Sequence, residues 1–364
     1  MFEPEKSDNI KVKTSILIFT YDRIQFLRNA VDSVKLATEG MDNLEIIISS
    51  CLNSEKIIAE VGSENLTFIT LSANMSYGER IVETIKKSNG TILFFLEDDD
   101  LFLPEKIKKV ISIFKEDESV VAVKDIPLKI NSEKSLDSTK YDSSSILVSA
   151  SDRDESINLG AMSLDVFSRL KKSGTFLNPS TMAVKRCALE ENFDILLCSD
   201  PADIMLMGSI LNHTGKLKLL NTPLTIYRIH SSNDSGLSKN SAPETNFKRF
   251  TEVHKKFFKG ISSAWLLKQK MNNVCKLLIY SVYGYENYIN NLVRVRPNKV
   301  GFIVSVFSDL LTEMKISMNL GKKPSFISIT RDMIRKIKER VPLVFIYTVS
   351  KKRAIERLKN YLSQ

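Results

Sequence analysis

The sequence predicts an α/β fold, a mostly parallel sheet with helices on both faces, followed by a C-terminal all-helical extension. Two observations carry this expectation. Over residues 1–125, short apolar runs alternate with segments whose apolar residues recur at helical spacing. From about residue 245 the strand-like runs stop, and apolar stripes recur among lysines at helical spacing.

Ser15-Ile16-Leu17-Ile18-Phe19 reads as a buried strand, being short, apolar and closed by polar turn residues. Ile24, Leu27, Val31 and Val34 then fall on one helical face. A strand at Glu45–Ile48, a short helix near Glu55–Val61 and a strand at Leu66–Leu71 follow. Helix Gly78–Lys87 sets Ile81, Val82 and Ile85 on one side. Strand Thr91–Leu96 runs directly into four acids. Pro104 suits a first helical turn, and Ile107, Val110, Ile111 and Phe114 continue that helix. Val120–Val123 closes the series as a strand. Strands alternating with helices imply crossover connections and hence a mainly parallel sheet.

Residues 131–158 are rich in Ser, Asp, Lys and Glu and read as a mobile loop or an edge excursion of the sheet. Beyond them a helix is predicted at Ala202–Asn212, with strands at Leu217–Leu220 and Leu224–Ile229. We place an α/β domain in residues 1–240 and a basic helical domain in 241–364. Charge divides the chain similarly. Residues 245–364 hold 24 Lys+Arg against 7 Asp+Glu, whereas residues 1–244 hold 28 against 36. A basic helical surface of this kind is read either as a solvated face packed on the α/β domain or as a surface drawn to anionic lipid. Nucleic acid is not expected as a partner, because no recognition motif accompanies the charge.

The N-terminal segment is polar and lacks an apolar signal core. No apolar run reaches the roughly 18–20 residues that span a bilayer. Cys51, Cys187, Cys198 and Cys275 are scattered without a CxxC pair, which suits reduced thiols. The expected location is cytoplasmic, with peripheral association at the inner face of the cell membrane.

The chemistry concentrates in FFLEDDDLFLP, residues 94–104. Glu97, Asp98, Asp99 and Asp100 follow an apolar strand, and like charges so close resist burial unless something positive compensates them. Open parallel sheets bind ligands beyond the carboxyl ends of their strands. Hard carboxylate oxygens there favour Mg²⁺ or Mn²⁺ shared with substrate phosphates. Neither GxxxxGK(S/T) nor a GxGxxG after a strand is present, so phosphate binding falls to the metal.

SILIFTYDRIQFLRNAVDSV, NLEIIISS, SNGTILFFLEDDDLFLP, CSDPADIMLMGSI and YRIHSSNDSG, in this order, resemble the nucleotide-binding part of family 2 glycosyltransferases. The resemblance covers residues 12–240 and implies the GT-A fold. It implies an inverting, metal-dependent transfer from a nucleoside-diphosphate sugar to an acceptor hydroxyl or phosphate on a glycan, a protein or a lipid carrier. On the matching positions it sets Thr20, Tyr21 and Asp22 against the nucleotide. Asp98, Asp99 and Asp100 match the DxD-type motif that contacts the ribose and holds Mg²⁺ or Mn²⁺. His230 falls near the metal, and Arg80 and Arg228 at phosphate or sugar contacts. Asp200 or Asp203 matches the catalytic base, and the sequence does not choose between them. Where family members often carry an Asp that reads uracil, this chain has Ser50-Cys51, which leaves UDP and GDP both open. The rival readings are a catalytically silent nucleotide-sugar-binding or membrane-associated protein, and a nucleotidyltransferase. The latter generally wants a glycine-rich phosphate loop that FTYDRIQF does not supply.

Overall fold

The computed structural model describes residues 13–141, 154–230 and 259–282, apart from Asp22, Ser135, Ser173 and Ser199, together with Glu252 and Lys256. Its first strand, β1 (Thr14–Thr20), is buried along its whole length. Leu17 and Phe19 enter one core while Ile16 and Ile18 enter another, as the two-residue pleat requires. Only a strand covered on both faces tolerates such a run.

β1 lies between β2 (Leu44–Ser50) and β4 (Ile92–Glu97), and β2 pairs with β3 (Leu66–Thr70), all parallel. The crossovers are α1 (Ile24–Ala37), α2 (Ser54–Val61) and α3 (Tyr77–Lys87). Helix α1 buries Leu27, Ala30, Val31 and Val34 on the face of Ile16, and α4 (Lys106–Glu116) adds Ile107, Val110 and Phe114 there. Helix α3 covers the other face with Ile81, Val82 and Ile85. It starts at a capping box, in which the Ser76 hydroxyl accepts from the Glu79 amide and the Glu79 carboxylate from the Ser76 amide. Helices on both faces are as predicted.

The second half of the sheet is mixed rather than parallel. β8 (Met182–Lys185) inserts antiparallel between β4 and β6 (Val120–Asn131). β6 pairs parallel with β9 (Lys216–Ile229), and β9 also carries the antiparallel strands β5 (Leu101–Phe102) and β7 (Glu155–Asn158). Among the described residues the strand order is β3-β2-β1-β4-β8-β6-β9-β5. The two strands expected at 217–229 are one. The break suggested by Pro223 is a register shift against β6, which accommodates a residue without an N–H. β7 lies inside the segment read as a loop or edge excursion and adds to the sheet beside β9; residues 142–153 of that segment fall outside the described residues.

After α5 (Leu164–Lys172), α6 (Arg186–Glu190) and α7 (Phe193–Leu196) comes α8 (Ala202–Leu211), apolar on nearly every side. An all-apolar helix must be enclosed. Residues 259–266 and 273–282 are helical and enclose it, burying Ile261, Ala264, Val274, Cys275, Leu278 and Ile279 in the same core. The helical prediction for residues 283–364 and the 240/241 boundary fall outside the described residues. Among those described, no helix is long and apolar enough to cross a membrane. All four cysteines are free.

Candidate active site

The chain leaves β1 towards β2 on one side and meets β4 on the other, so the sheet's switch point lies at the carboxyl ends of β1 and β4. The amide of Asp98 donates to the Phe19 carbonyl at 3.1 Å, extending the ladder one residue past β4. Thr20 and Asp98 are thereby buried near each other. Asp98 is faced by the Thr20 hydroxyl and the Arg23 guanidinium. Burial pushes Asp98 up to about 7, opposed by the Arg23 guanidinium and reinforced by the Asp99 charge.

Arg23 is the positive group the sequence reading did not find. Its Nη2 pairs with Asp98 Oδ1 at 2.8 Å, and its Nη1 donates to Asp99 Oδ2 at 2.7 Å. The same Asp99 oxygen lies 3.0 Å from His230 Nε2, whose ring packs 4.5 Å from that of Phe26. Asp100 faces inward. Its Oδ1 accepts the Arg228 backbone amide at 3.1 Å, and burial pushes it up to about 8. Glu97 is also pushed up to about 8 by burial, and accepts the Tyr77 hydroxyl.

Arg228 is fully buried. It donates through Nε to the Asp99 carbonyl at 2.8 Å, through Nη1 to the Lys134 carbonyl at 2.5 Å and through Nη2 to Asn29 Oδ1 at 3.3 Å. Its guanidinium also stacks 4.6 Å over Phe26. The structure thus puts it behind the acids as a brace. Lys106, likewise buried, pairs with Asp125 at 2.8 Å, donates to the Ser180 carbonyl at 2.6 Å and contacts the Thr225 hydroxyl.

At the β1–β2 side, Tyr21 is 47% exposed, and the Arg80 guanidinium sits 4.9 Å over its ring and 5.4 Å over that of Tyr77. Arg80 Nη1 donates to Cys51 Sγ at 3.5 Å, while its buried Nε has no partner. An exposed ring beside an unspent donor suits a planar heterocycle. The Ser50 hydroxyl accepts from the Leu52 amide at 2.9 Å and so shapes the turn. Asp22 lies outside the described residues.

The two aspartates expected to include a base differ. Asp200, before a cis bond to Pro201, is buried and faces Lys256 Nζ at 3.3 Å. Asp203 is half-buried in the first turn of α8, and burial raises its pKa. It also receives the Asn178 backbone amide, and Asn178 stands in the left-handed region at φ 64°. Two residues on, the Ser180 hydroxyl meets Asp100 and accepts the Glu97 amide at 3.1 Å. Two residues of chain span about 7 Å at most. The 3₁₀ turn Pro179–Thr181 with Asn178 therefore joins Asp203 to the acidic run. Lys124 backs this turn, donating to the Leu177 carbonyl at 2.6 Å, and burial brings it down to about 7.

No three His, Cys, Asp or Glu side chains converge as a metal cage among the described residues. The donor set suits a different arrangement. Mg²⁺ and Mn²⁺ are commonly held by one or two carboxylates plus substrate phosphates. The Asp98 carboxylate, were it released from Arg23, and the Asp99–His230 pair would provide that much.

Residues 15–160 match the sequence profile described as Glycosyl transferase family 2. An uncharacterised glycosyltransferase of a Nostoc species is 25% identical over 236 residues, 61% of this chain and 66% of that protein. Another, from Haemophilus influenzae, is 29% identical over 107 residues, 29% of this chain and 36% of that protein. The matched regions thus span less than two thirds of either relative. In fold the chain is similar to TarS 1–349 of S. aureus in complex with UDP-GlcNAc, with a TM-score of 0.54 at 14% identity, covering 96% of this chain and 90% of that one. The UDP complex of the same protein gives 0.51 at 14% identity, covering 96% and 89%.

Proposed function

We propose that this chain, whose residues 15–160 match the glycosyltransferase family 2 profile and whose fold is similar to that of TarS, is an inverting, metal-dependent enzyme moving a sugar from a nucleoside diphosphate to an acceptor hydroxyl. One observation supports this reading most: the 3₁₀ turn at Pro179–Thr181, with Asn178, links Asp203 to the strand-end acids.

Tyr21 and Arg80 hold the base, through ring contact and the unspent Nε donor. Asp98, Asp99 and His230 would hold Mg²⁺ or Mn²⁺, which when bound stabilises charge on the departing diphosphate. Arg228 keeps the acidic run fixed from behind, and Lys106 holds the Ser180 carbonyl of the turn beside it, so that the geometry does not relax as charge develops. Asp203 takes the proton of the acceptor hydroxyl as that oxygen attacks the anomeric carbon. Its raised pKa strengthens it as a base, and general-base assistance of this kind contributes roughly 10²–10⁴ in rate. Asp200, facing Lys256, is a structural partner in this scheme.

A basic stretch such as residues 245–364 would draw the enzyme to an anionic membrane surface, where a lipid-linked acceptor is presented. UDP-GlcNAc, the ligand of TarS in its complex, is the first donor to test. The experiment is thermal shift with UDP, GDP and CMP, with and without Mn²⁺, followed by assay of donor hydrolysis to free sugar. A donor that binds but is never hydrolysed or transferred would point to a silent nucleotide-sugar binder.

A further inference from the structure

We propose that Lys256 and residues 259–282 form a cradle that positions α8, and through it Asp203, so that Gly260 and Asn272 are positioning residues for the reaction. This rests on the assignment of Asp203 above.

Three contacts distributed along α8 carry the proposal. At its N-terminal end, Gly260 packs against the segment that leads into the helix. A Cβ there would overlap the Asp200 carbonyl oxygen and stand 2.7 Å from the Asp200 nitrogen and 2.8 Å from the Cys198 carbonyl oxygen. Only glycine permits so close an approach of two backbones. Lys256, four residues earlier, faces Asp200 Oδ2 at 3.3 Å. Midway along the helix, a Cβ at Gly208 would touch Ile279 at 3.4 Å and Cys275 at 3.7 Å, so bare helix meets the packed face of residues 273–282. At its C-terminal end, Asn272 Nδ2 donates to the Leu211 carbonyl at 2.6 Å, and the Asn272 amide donates to Asn212 Oδ1 at 2.7 Å. The orphan carbonyl of a helix end is thereby capped by the extension itself.

Helix α8 has no polar face of its own, and its burial on this side comes from Ile261, Ala264, Val274 and Cys275. Asp203 occupies the first turn, two residues past Pro201, so a shift of the Asp200 backbone is passed to it with little slack. Displacements of about 1 Å at a reacting group can cost on the order of 10²-fold in rate. The strand-end acids and Tyr21 follow β1 and β4, and no hydrogen bond or ion pair among those described joins them to residues 259–282 directly.

The test uses the full chain. In Gly260→Ala, amide hydrogen exchange at residues 200–205 is expected to quicken while β1–β4 keeps wild-type protection. With UDP-GlcNAc and Mn²⁺ as probe, donor-induced thermal shift and donor KM are expected to hold within about twofold, while kcat for hydrolysis falls about tenfold or more. Asn272→Ala is the second variant, acting from the far end of α8, and covers the case in which Gly260→Ala does not fold. Wild-type exchange at 200–205 in a folded variant overturns the proposal, as does loosening of β1–β4 to the same degree. Asp203→Asn separates the two readings. Undiminished kcat in that variant removes the assignment of the base, whereas a silent Gly260→Ala beside a dead Asp203→Asn removes the cradle alone.

Discussion

Arg23 and Asp99 are joined by a 2.7 Å hydrogen bond across 76 residues of sequence, through the carboxylate oxygen that also faces His230. The guanidinium stands where a cation would stand, with Asp98 on its other nitrogen. Its charge opposes the burial that holds Asp98 protonated up to about 7, and a divalent ion arriving with a diphosphate would compete for the same oxygens. Arg23→Gln is therefore expected to lose stability without metal, by about 3 kcal/mol as for a buried pair deprived of one partner. It should regain much of that loss on addition of Mn²⁺. The measurement is the melting temperature with EDTA and with Mn²⁺. Equal Mn²⁺ responses in variant and wild type would show that Arg23 and the ion do not share a place.

Asp200 and Asp203 make opposite commitments in the structure, and their asparagine variants should differ accordingly. Asp203→Asn is expected to lower kcat by roughly 10²–10⁴ with donor binding intact. Asp200→Asn removes a charge already faced by Lys256, and its principal effect should be a modest loss of stability. Rates of donor hydrolysis for the two variants decide the matter. A larger rate loss at Asp200 would reverse the assignment.

The Lys106–Asp125 pair is almost wholly enclosed, with both side chains about 1% exposed. Lys106→Met keeps the volume but leaves Asp125 charged and buried, and should destabilise the fold by about 3–5 kcal/mol. The double variant Lys106→Met/Asp125→Leu removes both charges and is expected to recover part of that loss. Urea unfolding of the three proteins tests this, and a double variant less stable than Lys106→Met would show that the network is worth more than its charges.

How much of this was legible follows from how far apart the partners lie. β1, β2 and β4 are written in local apolar runs, and the acids announce themselves by following one directly. β6 was legible only to Val123, because its continuation to Asn131 is stabilised by pairing with β9, about a hundred residues away. Arg23 stood in plain sight within FTYDR but pairs across 76 residues, and Lys106 meets the Thr225 hydroxyl across 119. Asn178 carried a faint signal, an Asn before Pro in NPST, yet its contact with Asp203 exists only once α8 is seated. That residues 259–282 pack on the α/β domain was legible as one reading of the sequence, but which helix they meet was not. Their apolar stripes predict helices but not that α8 would be what they cover.

The raised carboxylates at the end of β4 make a prediction about pH. The Asp98 carboxyl titrates near 3.8 when unfolded and at about 7 when folded, because burial penalises its charge. Between those values the native state keeps a proton that the unfolded chain has released, so stability must fall as pH rises through that window. The contribution is fully present below the unfolded value and lost once pH passes the folded one. Glu97 and Asp100, each raised to about 8, add in the same direction. Asp98→Asn cannot ionise, so its stability should decline less steeply than that of the wild type from about pH 5 to about pH 7 in EDTA. Urea midpoints across that range give the two slopes. Parallel slopes would mean that Asp98 is not held protonated by its surroundings. With Mn²⁺ present the wild-type slope should flatten, because a cation on the carboxylate replaces the proton as the compensating charge, and metal binding there releases that proton.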